Sequence, residues 1–282
     1  MFLLVLFAYH ETPVAKQNLQ YFQARGLLPP DSGRHVFVLN GAHTVDVDTL
    51  AAQGNVAVVE RENRCFDFGA WGVGLGAADD AFGGGDAAYT HVVFMNASVR
   101  GPFLSSFEVR PWWAVFADQL GGPGNVGLVG TSLNCWSSLQ ESHLQSMFLV
   151  FSAASLRDVV LPSGALDCKA DHDAAVFGGE IPLSRAFLDA GYSLKTQLRA
   201  FDRLLPFPGV VTPAAARAEG PEGARLYELC VGLLQTNGHG GDLLYPGEYG
   251  GTDVHPLEVV FAKTGRGVSA AALDAYTRWA VD

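Results

Sequence analysis

The stretch "YTHVVFMNASVRGPF", residues 89–103, decides how this chain is read. Its apolar run, Val92 to Met95, has the length and character of a buried strand. The run stops at a small polar cluster, Asn96-Ala97-Ser98, and Arg100 and a Gly-Pro turn follow at once. In an open α/β sheet, ligands collect at the carboxyl ends of the strands, and there such a cluster faces a site. In any other setting the same residues are ordinary turn formers. The flanking sequence has to show whether such a sheet is present.

Read outward, the pattern is α/β. "MFLLVLFAYHE" resembles a secretory apolar segment but lacks a basic flank and a small-x-small cleavage site, and it is too short to span a bilayer. A buried first strand accounts for it. "PVAKQNLQYFQARGLL" has helical periodicity, with Val14, Leu19, Phe22 and Leu27 on one broad face and Pro13 suited to a first turn. "HVFVLNG" is a second strand, "VDTLAAQG" a short helix stopped by Gly54, and "NVAVVERENR" a third strand passing into charge. "DFGAWGVGLGAADDAF" is helical despite its glycines; Gly69, Gly72 and Gly76 would form one smooth face. Its "GVGLG" lacks the spacing and the strand-to-helix setting of a dinucleotide fingerprint. After the strand at 91–95 come a helical stretch in "RPWWAVFADQL", the strands "VGLVGTSLNC" and "HLQSMFLVFS", and the helix "PLSRAFLDAGYSL" closed by Gly191. This succession predicts a mostly parallel sheet flanked by helices. Residues 207–225 read as a loop or lid, and the glycine-rich stretch 236–256 as a surface loop of the kind that carries function.

The totals agree. The chain has 282 residues, 49% hydrophobic and 17% charged, enough for one large domain or a domain with a smaller lobe. A net charge of −11 argues against non-specific nucleic-acid binding, but leaves room for a nucleotide held by a few local arginines. Cys65, Cys135, Cys168 and Cys230 have no zinc-site spacing. Buried free thiols in a reducing compartment are the favoured reading, and two disulfides the other. No segment approaches a membrane span, so a soluble chain is expected, either a cytoplasmic enzyme or the lumenal catalytic part of an anchored one.

In this order the pieces resemble a nucleotide-sugar glycosyltransferase of the GT-A fold, from the family-2-like enzymes and their rhamnan-synthesis-F-like neighbours. "AYHE" stands where the family has a strand leading to Tyr-Asn-Glu. "RENRCFDFGAW" is similar to the group's Glu-Asn-Arg-Gly-x-Asp-x-Gly-Ala-Trp, and "GEIPLSRAFLDAGY" looks like its acceptor-side motif. "VVFMNASVRGPF" occupies the place of the strand leading to the metal-binding Asp-x-Asp. The resemblance implies a GT-A-like, Rossmann-related domain over 1–206, with 207–282 as a C-terminal lid completing it. It implies transfer of a sugar from a nucleotide-sugar donor to a glycan or other hydroxyl acceptor, with inversion. The departure is at the strand tip, where Asn96-Ala97-Ser98 has no carboxylate. A hard cation such as Mn²⁺ or Mg²⁺ wants anionic oxygens. Metal held elsewhere, with His255 or Asp253, is one consequence; neutralisation of the diphosphate by arginine is a second; a carbohydrate- or nucleotide-binding protein without turnover is the third.

The resemblance assigns residues as follows. Glu180, the acid before the Leu-Ser-x-Arg helix, is the candidate base, or a first-turn acid favouring its helix. His10, Glu11, Asn63, Arg64, Asp67, Asn96 and Ser98 are donor-side candidates. Asp67 has helix capping as its structural alternative and His10 likewise. Arg100, just past the cluster, is the first candidate for the diphosphate, with Arg64, Lys263 and Arg266 behind it. His143 and Arg185 are acceptor-side candidates, although Arg185 is better placed to pair with Asp189 one helical turn on. His255 is the candidate metal ligand. Trp71 reads as core, and Asp171-His172-Asp173 as a solvated turn.

Overall fold

The computed structural model describes residues 2–83, 88–122, 124–135, 141–201, 241–266 and 268–281. The predicted lid at 207–225 and the start of the glycine-rich stretch lie outside them. Strand β1 (Leu3–His10) is buried along nearly its whole length, as a central strand covered on both faces must be. Helix α1 (Pro13–Arg25) begins where Thr12 accepts a hydrogen bond from the Ala15 amide, with Pro13 in its first turn. Strand β2 (Gly33–Asn40), the short α2 (Val47–Ala51), β3 (Val56–Arg61), α3 (Phe66–Phe82) and β4 (His91–Asn96) follow. The chain then runs through β5 (Val99–Arg100), α4 (Trp112–Ala117), β6 (Val126–Gly130), β7 (Leu133–Asn134), β8 (His143–Leu144), β9 (Phe148–Ser152) and the one-turn α5 (Ala153–Ser155).

Seven strands form the main sheet, in the order β10-β6-β9-β4-β1-β2-β3, where β10 is Ser193–Thr196. The β4-β1-β2-β3 half is parallel, β6 and β10 are parallel to each other, and β9 runs against both of its neighbours. This is the expected α/β class with a mostly parallel sheet. From β1 the chain moves one way to β2 and β3, then returns to place β4 on the other side. The carboxyl ends of β1 and β4 therefore flank a topological switch point, where open sheets leave a crevice. His10 and Asn96 are the last residues of those two strands.

Period-two alternation sorts the core. Phe7 and Phe37 meet each other and Phe22 of α1, with ring centroids 5.3 Å apart for Phe7–Phe22 and Phe7–Phe37. On the opposite face, Leu6 and Val38 lie against Gly74 of α3, and Phe94 stacks on Trp71 at 4.8 Å. Trp71 is core, as read, and its indole nitrogen donates to the Met95 carbonyl at 3.1 Å. The glycine face differs from expectation: Gly74 meets the sheet, Gly69 meets Cys65 and Cys168, Gly72 meets Leu166, and Gly76 faces open space.

Three further corrections concern local structure. "HLQSMFLVFS" is two strands, β8 and β9, and the residues between them carry the latch described below. The predicted helix at 182–194 begins earlier. Residues 172–189 run through α6 (His172–Ala175), a wide π turn Val176–Glu180, and α7 (Ile181–Asp189) without leaving helical backbone at Ala175 or Glu180. Pro182, which lacks an amide hydrogen and crowds the preceding turn, follows that wide turn directly. Glu180 is thus inside a helical run and not at its start. Asp171 caps the run by accepting from the Ala174 amide.

The expected free thiols are the third correction. Cys65 and Cys168, 103 residues apart, form a disulfide, Cys135 is also disulfide-bonded, and no free cysteine is found among the described residues. The bridge was illegible because it depends on the fold bringing the start of α3 beside the loop before α6. Two short helices complete the chain, α8 (Pro256–Val259) and α9 (Ala270–Val281), with strand β11 (Ala262–Lys263) between them. Among the described residues no helix is long and apolar enough to cross a membrane.

Candidate functional site

β4 ends because its tip is tied down. The Asn96 side-chain oxygen accepts from the backbone nitrogen and hydroxyl of Ser98, at 2.9 and 2.6 Å, closing a tight turn. Its amide nitrogen donates to the Asp67 carboxylate at 2.6 Å. Asp67 lies within the first turn of α3 and caps nothing; Cys65 holds the cap position without a side-chain bond. Burial pushes the Asp67 carboxyl up to about 6, with the Glu180 charge adding to it, while the Asn96 amide, Lys263 and His10 oppose the rise.

Asp67 opens onto a cavity of about 540 Å³ at the carboxyl ends of β1, β2 and β3. Its lining includes His10, Asn40, Asn63, Arg64 and Lys169. Four residues scattered across the first quarter of the sequence, His10, Asn63, Arg64 and Asp67, thus line one cavity. His10 does not cap α1. Its Nδ1 lies 3.0 Å from the Asn40 carbonyl, which fixes the ring over the cavity. The turn 62–65 is held from below by Arg61, whose guanidinium donates to the carbonyls of Gly69 and Arg64. Glu11 is otherwise engaged. Its carboxylate accepts from the Thr44 amide at 2.6 Å and from the hydroxyls of Thr44 and Tyr9, and it does not line the cavity.

A second cavity, about 220 Å³, is bounded by Glu180, His143, Gln145, Asp242, Lys263 and Arg266 among others. Here the helical run 172–189 is latched to the segment between β8 and β9. Glu180 Oε1 accepts from both the backbone nitrogen and the hydroxyl of Ser146, at 2.7 and 2.6 Å. Its Oε2 lies 3.3 Å from Nε2 of the buried His143, whose Nδ1 faces the Glu141 carbonyl at 2.6 Å. Burial alone would raise the Glu180 carboxyl. The His143 ring and the two Ser146 donors outweigh it and hold Glu180 below the usual carboxylate range.

Lys263 is set in place by pairing. β11 runs antiparallel to β5, with Lys263 opposite Val99 and Ala262 opposite Arg100. Residues directly opposite share a face and successive residues alternate. Lys263 and Arg100 consequently leave this ribbon on opposite sides, which overturns the placing of Arg100 at the donor. Arg100 is buried, with its guanidinium bonded to Asn18 and Gln17 of α1 and to Asp274 and Thr277 of α9. It holds two helices together. Lys263 faces the second cavity, and burial and the Arg266 charge lower its ammonium against the pull of Glu180, Asp242 and Asp67.

Two other expectations move away from the cavities. Arg185 pairs with Asp189 at 3.0 Å, the alternative given above for it, and lines neither cavity. His255 caps α8 through Nδ1, which accepts from the Leu257 amide, and its Nε2 meets the Tyr276 hydroxyl at 2.9 Å. With both nitrogens in use and no place on either cavity, it is a poor metal ligand. Asp253 accepts from the Gly247 amide.

The donor set at the β4 tip does not fit a divalent cation. Asn96 is an amide already bonded at both ends, Ser98 donates its hydroxyl to Asn96, and the nearby carboxylate of Asp67 takes an amide hydrogen bond. Among the described residues no group of three or more His, Cys, Asp or Glu side chains converges. Sequence reasoning missed Asp242, Gln145, Asn134, Tyr245 and Lys169, all lining one cavity or the other. Asp242 sat inside the glycine-rich stretch that was marked as functional, and that was the one available signal.

No known protein family matches this sequence, and no curated protein does. Among solved structures, the mannosyltransferase PcManGT from Pyrobaculum calidifontis, determined with GDP-Man and Mn²⁺, aligns at 15% identity and a TM-score of 0.44. That alignment covers 100% of this chain and 88% of the other. TarS 1–349 from S. aureus aligns at 14% identity and a TM-score of 0.43, over 84% of this chain and 73% of its own. TarS 1–349 in complex with UDP-GlcNAc aligns at 13% and 0.36, over 56% and 46%. Likeness at this level assigns no activity to this chain.

Proposed function

We propose that the protein is a nucleotide-sugar-dependent glycosyltransferase with a GT-A-like core, which moves a sugar to a hydroxyl of a carbohydrate acceptor with inversion. One observation carries this reading. His10, Asn63, Arg64 and Asp67 converge at the carboxyl ends of parallel strands beside the switch point, and Glu180 with His143 lines a second cavity. The charges of Glu180 and Lys263 act on Asp67, so the two cavities share one electrostatic neighbourhood.

In this reading the nucleoside occupies the cavity of His10, Asn63, Arg64 and Asp67, and the acceptor approaches from the side of Glu180. The acceptor oxygen forms its bond to the anomeric carbon as the bond from that carbon to the diphosphate oxygen breaks. The bonding pair leaves with the diphosphate. The hydroxyl proton passes to Glu180, and the hydroxyl becomes more acidic as its oxygen commits to the new bond, so a carboxylate held ionised suffices as base. His143 and Ser146 fix the direction of that carboxylate and are positioning residues. The disulfides favour the lumenal alternative for location, since such bonds persist in oxidising compartments.

A second reading, binding without turnover, is favoured by the two Ser146 donors and the His143 ring that already engage Glu180. Incubation with UDP-, GDP-, dTDP- and CDP-sugars and oligosaccharide acceptors, with release of the nucleoside diphosphate as readout, separates the two. The transferase reading expects release with one donor and a loss of roughly 10²–10⁴-fold in Glu180→Gln. Diphosphate binding without release would leave the second reading standing. Release unchanged in Glu180→Gln would remove Glu180 as base.

A further inference from the structure

The mismatch between the β4 tip and a metal ion leaves the negative charge of a diphosphate to be met by something else. Two carboxylates, Glu180 and Asp242, line the second cavity, a third, Asp67, lines the first, and each is already satisfied. Glu180 takes Ser146 and His143; Asp67 takes Asn96; Asp242 takes Arg266 at 2.6 Å, Gln145 at 3.1 Å and the Leu244 amide. Lys263 therefore lines the cavity with an ammonium that has no hydrogen bond or ion pair among the described residues. An ammonium held at a cavity wall, partly withdrawn from water, favours an anionic partner there.

Arg266 stands beside it. Only its Nη1 is taken by Asp242, and its plane lies over the Tyr245 ring at 4.9 Å, which fixes the guanidinium in one orientation. A guanidinium has five N–H donors, so this one keeps donors to spare. Two cations thus lie close enough for Arg266 to depress Lys263, a repulsion that an anion between them would relieve. The pairing of β11 with β5 puts Lys263 opposite Val99, one residue beyond the Asn96-Ala97-Ser98 turn.

We infer that Lys263 and Arg266 form the diphosphate subsite of the donor, and that this pair of fixed cations takes the place of a divalent metal ion. The inference rests on the nucleotide-sugar reading above. Guanidinium and ammonium are complementary here: Arg266 offers planar, directional donors to phosphoryl oxygens, and Lys263 offers a compact charge with three rotatable donors.

The test is binding of UDP, GDP, dTDP and CDP, and of the parent nucleosides, measured by calorimetry and thermal shift in EDTA and in Mn²⁺. The expected result is one diphosphate that binds in EDTA with an affinity changed less than threefold by Mn²⁺. Lys263→Met and Arg266→Gln should each weaken that diphosphate tenfold or more, while the nucleoside's weaker affinity stays unchanged. Lys263→Arg, which keeps the charge, should retain most of the binding and shows that the site is intact. Diphosphate binding that requires Mn²⁺, or that survives both charge-removing variants, overturns the inference and leaves the nucleotide-sugar reading in place. Failure of every diphosphate in both conditions overturns the two together.

Discussion

Asp67 is the residue whose environment departs most from what the sequence offered. Its role as a helix cap was chemically reasonable, but its side chain turns inward to Asn96, and burial lifts its carboxyl to about 6. An aspartate raised in the folded state holds a proton that the unfolded chain has released. Its favourable contribution is therefore complete below pH 4, near the ordinary aspartate value, and is lost as pH rises through about 6. The loss is on the order of 3 kcal/mol. Asp67→Asn keeps an oxygen to accept from Asn96 and has nothing to titrate. Urea unfolding of both proteins between pH 3.5 and 7.5 should show the wild-type stability falling relative to the variant across that window. Parallel curves would mean that Asp67 titrates as an ordinary aspartate. Arg100 teaches the complementary lesson at the same scale. Its nearness in sequence to the polar cluster suggested a phosphate contact, yet one step of strand alternation turned it into the clasp between α1 and α9.

Among the elements, α3 shows which parts of a pattern are legible and which are not. Its helical character could be read through its glycines, but the face those glycines serve could not, because spacing does not say what stands opposite. Gly76 has nothing within 4 Å of an added Cβ, whereas at Gly69 that atom would lie 2.4 Å from the Cys65 Cβ. Gly76→Ala should stabilise the protein by up to about 1 kcal/mol, the helix preference of alanine over glycine. Gly69→Ala should destabilise it by about 1–3 kcal/mol, as overpacking does. Denaturant midpoints of the two variants should fall on opposite sides of the wild type, and the same sign for both would refute this account of the helix. The run 172–189 makes the same point. Its amphipathic end was visible, but the π turn and the continuity through Glu180 were not, since Pro182 reads locally as a first-turn residue. Strands β1 to β4 were legible because each is a short apolar run between clear breaks.

At the scale of the whole molecule, the mostly parallel sheet followed from the succession of short apolar strands and helices. The strand order and the switch point are seen only in the structure, which also gathers His10, Asn63, Arg64 and Asp67 at one cavity. What joins distant parts did not follow. The ribbon that brings Lys263 to the β4 tip links residues 99–100 to 262–263, and no local signal marks either as a partner. The Cys65–Cys168 bridge is the covalent case. It ties the turn carrying Asn63 and Arg64 to the loop carrying Lys169, and both line the first cavity. Cys65 and Phe66 also hold positive φ values of 65° and 50°, a conformation that non-glycine residues keep only where their surroundings enforce it. Removing the bridge with Cys65→Ser and Cys168→Ser together should lower stability by about 2–5 kcal/mol, as expected for a long closed loop. It should also weaken nucleoside binding in the first cavity more than diphosphate contacts in the second, because only the first cavity is lined by the bridge. Urea unfolding, together with calorimetry of a nucleoside and of pyrophosphate, measures both effects on one variant. A variant that loses stability yet binds the nucleoside as well as wild type would show that Arg61, bonded to the Gly69 and Arg64 carbonyls, holds the turn in place unaided.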